Sequence, residues 1–571
     1  MKKLISALLL VAILVLALAA CGGSQKKKTT AATTPSPVTT TPAPGGDDPW
    51  EDAASEVKAM DASLRNVIIS MSDNSLAVVK NEEYVEGPAT RENASNIEGY
   101  IYDRNQDAYA KLGMTVRYKY TPEGWGAAYG NIVAACKAQQ TADSPDMYVD
   151  LMYDMVGAAI GGAFREVTTI PGSYLNFETQ GWFSSIMDDV SLDGERKYLL
   201  ATDYYLDIVR NMLVMPFNLS LLDGSTGDAD LVAAITGKDT WSDTNEAGKR
   251  QYLSDYLFQI VRDGKWTYDR LTEICEAIFI EQDGVPEDSK GDRNGLLLDA
   301  GGGIMSSAFL YSTDVECLID GKDANGKLTL TYPTTGDKIN EVFKATDKLI
   351  KADGTFIMPG SSTAEANAQI RAAFSSGKAF AIGAEMLGSF ESDEYAGMND
   401  VFSVLPIPLL EEGSVDDHNT PIHNCAALGA INIRSAKYLP LTAFVQYVTE
   451  HELTQSVREE YLRVIMKFDL VEYNAGTDEM LEIVYAHTKS CREMIIDNLV
   501  YQQKRGEITG VVDPRWHGIL KVNQFTEGEF LSNYESVRTA KQAALNTLLA
   551  TWRTLPTQEA PPAAEETPAG E

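Results

Sequence analysis

Basic residues are scarce in this sequence. Its 571 residues carry 48 Lys and Arg against 82 Asp and Glu, a formal net charge of −34 at pH 7. A duplex phosphate backbone attracts the opposite sign, so nucleic-acid binding is excluded. Histidine is scarcer still: His418, His423, His451, His487 and His517 are the only five, and they share no motif. A structural or surface role is the default for each. Beyond Cys21 there are five cysteines, Cys136, Cys275, Cys317, Cys425 and Cys491. An odd number cannot all pair within one chain, and the spacings match no zinc pattern. Cys275 shares a helical face with Leu271, Ile274 and Ile278, as a buried free thiol would.

Catalytic signatures are missing as well. No Gly-Lys pair is followed by Ser or Thr, so there is no Walker A loop, and neither G-x-S-x-G nor H-E-x-x-H occurs. Asp292, Asn294 and Gly295 fit positions three, five and six of an EF-hand loop. Positions one and twelve are then Lys290 and Gly301, where carboxylates are needed, so the stretch 283–299 reads as a solvated turn. No catalytic residue, metal or cofactor is nominated. A glycosidase pair of carboxylates is defined by separation in space, and no local motif picks one out.

One long apolar run is present, and it comes first. Met1-Lys2-Lys3 gives a positive start, Leu4 to Ala20 is apolar or small throughout, and Cys21 follows at once. The run is at the short limit for a membrane span and lacks a basic flank after it, which favours a cleaved signal peptide over residues 1–20. Leu18-Ala19-Ala20-Cys21 resembles the bacterial lipobox. That resemblance implies acylation of Cys21 and anchoring of the mature chain on the extracytoplasmic face of the cell membrane. Losing Lys2 and Lys3 leaves 46 basic against 82 acidic residues, a mature charge of −36. Residues 21–55 are rich in Thr, Pro, Gly and Lys and read as an extended tether, with Lys26-Lys27-Lys28 suited to an anionic lipid surface. A Pro/Glu/Ala-rich stretch, 555–571, reads as a disordered tail.

The residues between these ends are numerous enough for more than one lobe. Val67-Ile68-Ile69-Ser70 is a β-branched run. Ile97, Ile101, Ala108 and Leu112 then recur at helical spacing, Gly113 ends that helix, and Met114, Val116, Tyr118 and Tyr120 alternate with polar residues. Strand, helix, strand in this order predicts an α/β architecture with a largely parallel sheet. The pattern returns at Ala426 to Ile433, followed by Leu441, Phe444, Val445 and Val448 on one helical face. A long last helix carries Tyr534, Val537, Leu545, Leu548 and Trp552. There is no internal sequence repeat.

Several short segments, taken in order, resemble one family. Ser144-Pro145-Asp146-Met147-Tyr148-Val149-Asp150 with Phe164-Arg165-Glu166-Val167, then Gly181-Trp182-Phe183, Leu213-Val214-Met215-Pro216-Phe217-Asn218, Gly264-Lys265-Trp266-Thr267, Phe374 to Ala379 and Val404-Leu405-Pro406-Ile407-Pro408 are similar to segments of bacterial extracellular solute-binding lipoproteins. These are the family 1, maltose-binding-protein-like receptors of ABC importers, here in their clostridial form. The resemblance covers about residues 64 to 552. It implies a class II periplasmic-binding-protein-like α/β fold: lobe one from 56–216 and 425–452, lobe two from 217–424 and 453–554, with Phe217, Asn218 and Cys425 at the hinges. It further implies a monomeric receptor and no enzyme, which holds a small molecule, foremost a carbohydrate, between the lobes. Separate permease and ATPase chains would be its partners, in accord with the missing Walker loop. Asp154, Trp182 and Trp516 are the ligand-binding candidates by position. Glu385 is the fourth, standing in Gly383-Ala384-Glu385-Met386, where sugar-binding relatives often carry a Trp within a few residues. A secreted carbohydrate-active enzyme and a receptor for a non-sugar solute such as a peptide are the alternatives.

Overall fold

The run Val67-Ile68-Ile69 forms the middle of a strand buried along all but its first residue, as expected of a parallel strand covered on both faces. A computed structural model of the chain describes residues 48–72, 82–121, 128–223, 228–238, 246–282, 292–299, 304–313, 315–359, 363–465, 475–489, 492–504 and 526–558. Asp52 onward makes a single compact unit, and the α/β class read from the sequence is its class.

Two sheets organise this unit. Numbered in chain order, their principal strands are β1 Asn66–Ser72, β2 Thr115–Thr121, β3 Met147–Leu151, β4 Leu213–Asn218, β5 Asn294–Asp299, β6 Thr355–Met358, β7 Ala379–Ile382, β8 Phe402–Leu405 and β9 Ala427–Ile431. The first sheet runs β9-β3-β1-β2, with β1 parallel to both β2 and β3 and β9 antiparallel to β3. In the second, β5 is parallel to both β6 and β7, β4 is antiparallel to β7, and β8 lies antiparallel on β4. Both sheets thus place their parallel strands in the order second, first, third, and both close with an antiparallel strand from a remote part of the chain. The sequence has no repeat, yet the topology repeats.

The borrowed strands decide how the sheets meet. β9 begins beside the carboxyl end of β3, where Ala427 pairs with Leu151. β4 begins just past the carboxyl end of β7, where Leu213 and Val214 pair with Met386 and Glu385. The segments leading into these two strands pair with each other, since Met212 bridges Ile422 and the His423 N–H donates to the Asn211 carbonyl at 2.9 Å. The carboxyl ends of both parallel sets are therefore brought to one junction. The chain has entered the second sheet by Leu213, so Phe217 and Asn218 lie inside a strand beyond the crossing, and Cys425 lies in the return segment.

Helices fill the crossovers. Asn96–Leu112 starts at a capping box, in which the Ser95 hydroxyl accepts from the Glu98 N–H and Glu98 accepts from the Ser95 N–H. It ends at Gly113 with φ +61°, a left-handed cap that glycine adopts at least cost. Its buried Ile101, Ala108 and Leu112 belong to the predicted face. The helices Tyr438–Glu450 and Glu452–Ile465 both lie along it, with Phe444 stacked on Tyr109 and Asn96 donating to Glu460, so the chain stays beside the first sheet past residue 452. The last helix, Glu527–Arg553, touches both sides. Phe530 stacks on Phe343 of the second-sheet helix Asp337–Lys351, whereas the Trp552 indole N–H donates to Asp193 Oδ1 at 3.2 Å beside the first sheet. Beyond it the Thr557 carbonyl accepts the Glu166 N–H at 2.9 Å, so Leu555–Gln558 dock on the body and are not part of a free tail.

Candidate functional site

In open α/β sheets ligands bind outside the carboxyl ends of the strands, at the point where successive crossovers diverge. That point lies between β1 and β3 in the first sheet and between β5 and β7 in the second. Asp154 stands three residues past the end of β3, and Glu385 three past the end of β7, so two of the candidates occupy equivalent places in the two halves. Cys21 and Trp516 lie outside the described residues.

Asp154 is 1 % exposed, in the first turn of the helix Met152–Ile160, and its Oδ1 accepts the Tyr129 N–H at 3.2 Å. The return segment fixes this helix: the Met152 N–H donates to the Ala426 carbonyl at 2.7 Å and the Tyr153 N–H to that of Asn424 at 3.2 Å. Cys425 packs on Leu151 at the end of β3. Burial pushes its thiol up to about 12, with the Asp207 and Asp154 carboxylates acting in the same direction. Asp154 and Cys425, read from the sequence for different reasons, are thereby neighbours.

Glu385 is buried and already paired. Arg371 grips it with two hydrogen bonds, and the Tyr395 hydroxyl donates to it at 3.4 Å. Trp182 is half-buried, bridged to Thr202, with its ring edge-on to Phe177 at 5.0 Å. Its indole nitrogen is buried with no hydrogen-bond partner among the described residues. Gly181 before it has φ +88°, and a Cβ there would meet the Thr449 carbonyl oxygen at 2.5 Å, so only glycine lets this loop approach the helix Tyr438–Glu450. Phe217 is core, against Phe258 and Phe380, and Asn218 donates to Asp400 at 2.8 Å.

The junction holds charged residues that sequence reading passed over. Arg210, fully buried, donates to Asp207 Oδ1 at 2.9 Å and to both Glu391 oxygens at 2.9 and 3.2 Å. The Tyr461 hydroxyl donates to Glu391 at 2.6 Å, and the Tyr84 ring lies 5.0 Å from the guanidinium. Asp207 Oδ2 accepts the Ala427 N–H at 3.2 Å, which ties the first crossing to the second. Burial pushes Asp207 up to about 6, against the pull of Arg210. A second pair, half-buried Arg458 with buried Asp203, is completed by the Tyr485 hydroxyl. An arginine and an aspartate inside the apolar stretch Leu206 to Val214 were the signal available in the sequence.

Nothing among the described residues groups three or more His, Cys, Asp or Glu side chains suitably for a metal ion. Asp292 accepts the Gln282 N–H, and Gly295 is required because a Cβ would strike the Cys275 backbone at 2.4 Å, so packing accounts for two of the EF-hand matches. Cys136, Cys275, Cys317 and Cys425 are buried free thiols. No described helix is long and apolar enough to cross a membrane.

No family model and no curated protein matches the chain. Solved structures similar to it include extracellular solute-binding proteins of low identity. One is the GacH receptor of Streptomyces glaucescens, determined unliganded and with acarbose, at 13% identity and a TM-score of 0.48 over 85% of this chain and 99% of that one. A family 1 extracellular solute-binding protein from Bifidobacterium longum subsp. infantis aligns at 13% identity and 0.43, covering 86% and 99%. The maltotriose binding protein of Thermus thermophilus, bound with maltotriose, aligns at 11% and 0.43, covering 84% and 100%.

Proposed function

We propose that the chain is the extracytoplasmic solute-binding component of an ABC importer, anchored through Cys21, which captures a carbohydrate between its two α/β halves and delivers it to a separate permease without turning it over. The observation that carries this reading is the meeting of both sets of carboxyl ends at the paired crossings Asn211–Leu213 and Ile422–Ala427. Two halves whose crossing segments pair near their ligand-facing ends can change their mutual angle by small backbone rotations in those segments. A ligand touching both halves then stabilises the closed arrangement. The pivots of this motion are the residues around Met212 and Ile422, with Phe217 and Asn218 moving as part of the second half. Among solutes a carbohydrate fits best, because the half-buried Trp182 offers a ring face and the Asp154 carboxylate stands just past the end of β3. A thermal-shift screen of the unlipidated body against oligosaccharides, oligopeptides and polyols tests it, since a ligand of the native state raises the Tm. An oligosaccharide hit accompanied by a smaller radius of gyration in small-angle scattering is the expected result. A hit that is hydrolysed, or one that leaves the radius unchanged at saturation, would overturn the closure reading.

A further inference from the structure

A cavity lies away from the junction. The hairpin Ile319–Lys322 and Leu328–Thr331 stands beside the last helix, and between them is a groove of about 650 Å³. Arg538, Gln542, Asn546 and Arg553 line it from one face of that helix, with Thr329 and Thr331 opposite, and none of its lining residues is acidic. This is a strong local departure in a chain of net charge −34.

We propose that this groove is a second ligand site, which takes an elongated acidic oligosaccharide. Both arginines are incompletely satisfied: the Nε atoms of Arg538 and Arg553 are buried and without a hydrogen-bond partner among the described residues. A buried unpaired donor is costly, and a small rotation of the guanidinium, whose side chain lines the groove, turns it to an oxyanion there. Two neighbouring carboxylates are hydrogen-bonded elsewhere, although the Asp323 charge is still felt by Arg553. Asp320 is held by Arg492 at 2.5 and 3.3 Å, and Asp323 accepts the Asn325 and Lys327 N–H groups at 2.8 and 3.0 Å. Fifteen positions separate the two arginines on one helix, about 22 Å at 1.5 Å per residue. A single small anion cannot span them, whereas a short chain of acidic units can. The space between supplies threonine hydroxyls for sugar hydroxyls, and Leu330, Leu549 and the exposed Ile319 for apolar ring faces. The wall is preformed, since Gln542 accepts the Tyr332 N–H at 2.8 Å and donates to the Leu330 carbonyl at 3.0 Å, clamping hairpin to helix. Over such distances the acidic surface elsewhere is screened at physiological salt, so local charge decides.

The test is calorimetric titration of the unlipidated full-length body with tetragalacturonate at 50 and 500 mM NaCl, with maltotetraose as the neutral probe. Binding of tetragalacturonate that weakens at high salt is expected, with a loss of at least tenfold in the Arg538→Gln/Arg553→Gln double variant. Circular dichroism and unchanged maltotetraose behaviour establish that the variant is folded. Equal binding by the double variant, or no binding by the wild type up to millimolar concentration, overturns the proposal. So does binding that emerges only after residues 559–571 are removed, because the chain's own glutamates would then be the occupant.

Discussion

Arg371 holds Glu385 in a two-point ion pair, Nε to Oε2 at 2.8 Å and Nη2 to Oε1 at 3.1 Å, with Glu385 almost wholly buried. The Ser389 hydroxyl accepts a further bond from Arg371 at 3.2 Å, and the Met386 N–H donates to Oε1 at 3.1 Å. A carboxylate so occupied has little capacity left for a sugar hydroxyl. It shapes the turn after β7 and positions what surrounds it.

Glu385→Gln is therefore expected to act on stability first. Removing one member of a buried pair leaves the other charge uncompensated, at a cost of about 3 kcal/mol. Urea unfolding should show that loss, with ligand affinity in the folded fraction close to wild type. Normal stability with weakened binding would restore Glu385 as a ligand contact.

Acid should destabilise the body between pH 6.5 and 4. His418 is 1 % exposed, and burial pushes it down to about 4; His423, in the return segment, is pushed down to about 4 by the same cause. Both take up protons more readily when unfolded. Their contribution is complete above about pH 6.5 and is lost as pH falls toward 4, at most about 3 kcal/mol each at 1.36 kcal/mol per unit. Asp207 works in the opposite sense: its folded value, raised to about 6, favours the protonated native state, so its contribution shrinks as pH rises from about 4 to 6. Burial also pushes His451 down and Asp203 up, so three histidines stand against two aspartates and the net effect is acid lability. His418→Leu should flatten the slope of unfolding free energy against pH in this window, and an unchanged slope would exclude His418 as a source.

Local pattern carried the fold much further than it carried the site. The helix Asn96–Leu112 and strands β1 and β2 were legible because their signals, a period and a terminal glycine, lie within twenty residues. β4 was legible as a strand, but its sheet was not, because its partners are supplied from residues 381, 385 and 402 onward. Arg210 and Glu391 are 181 positions apart, and only the assembled junction makes them one ion pair. Asp154 was nominated because it follows a strand end closely, whereas the engagement of Glu385 by Arg371 was invisible, since a turn and a strand intervene.

Cys425 gives a chemical reporter of the junction. Its thiol is buried against Leu151 and pushed up to about 12, so at neutral pH it is neither ionised nor exposed. Iodoacetamide should label it at a rate set by opening of the crossings, far below that of a free thiol, and a ligand that closes the halves should slow it further. Rapid labelling in the native protein, located at Cys425 by peptide mass, would argue against the pairing of the two crossings.

Anchoring is tested at the start of the chain. A diacylglyceryl thioether on Cys21 supplies two acyl chains, enough for stable membrane attachment. Cys21→Ser should release the protein into the medium with its binding properties intact. Retention on the membrane with the leader demonstrably cleaved would point to another anchor.

Trp182 separates a ligand platform from a brace through two substitutions. Its indole N–H is buried without a partner among the described residues, so Trp182→Phe removes an unsatisfied donor while keeping a ring against Phe177. Losing such a donor is close to neutral or stabilising, and the unliganded Tm should stay within a few degrees of wild type. If the ring face carries a sugar, Trp182→Phe keeps most of the affinity. Trp182→Ala then loses on the order of 2 kcal/mol, about thirtyfold, as truncation of an aromatic anchor does. Isothermal titration with the oligosaccharide from the thermal-shift screen measures both. Should Trp182→Ala lower the Tm steeply while the folded fraction binds as tightly as wild type, the ring is a brace between Phe177 and Thr202, and the stacking surface must be sought elsewhere at the junction.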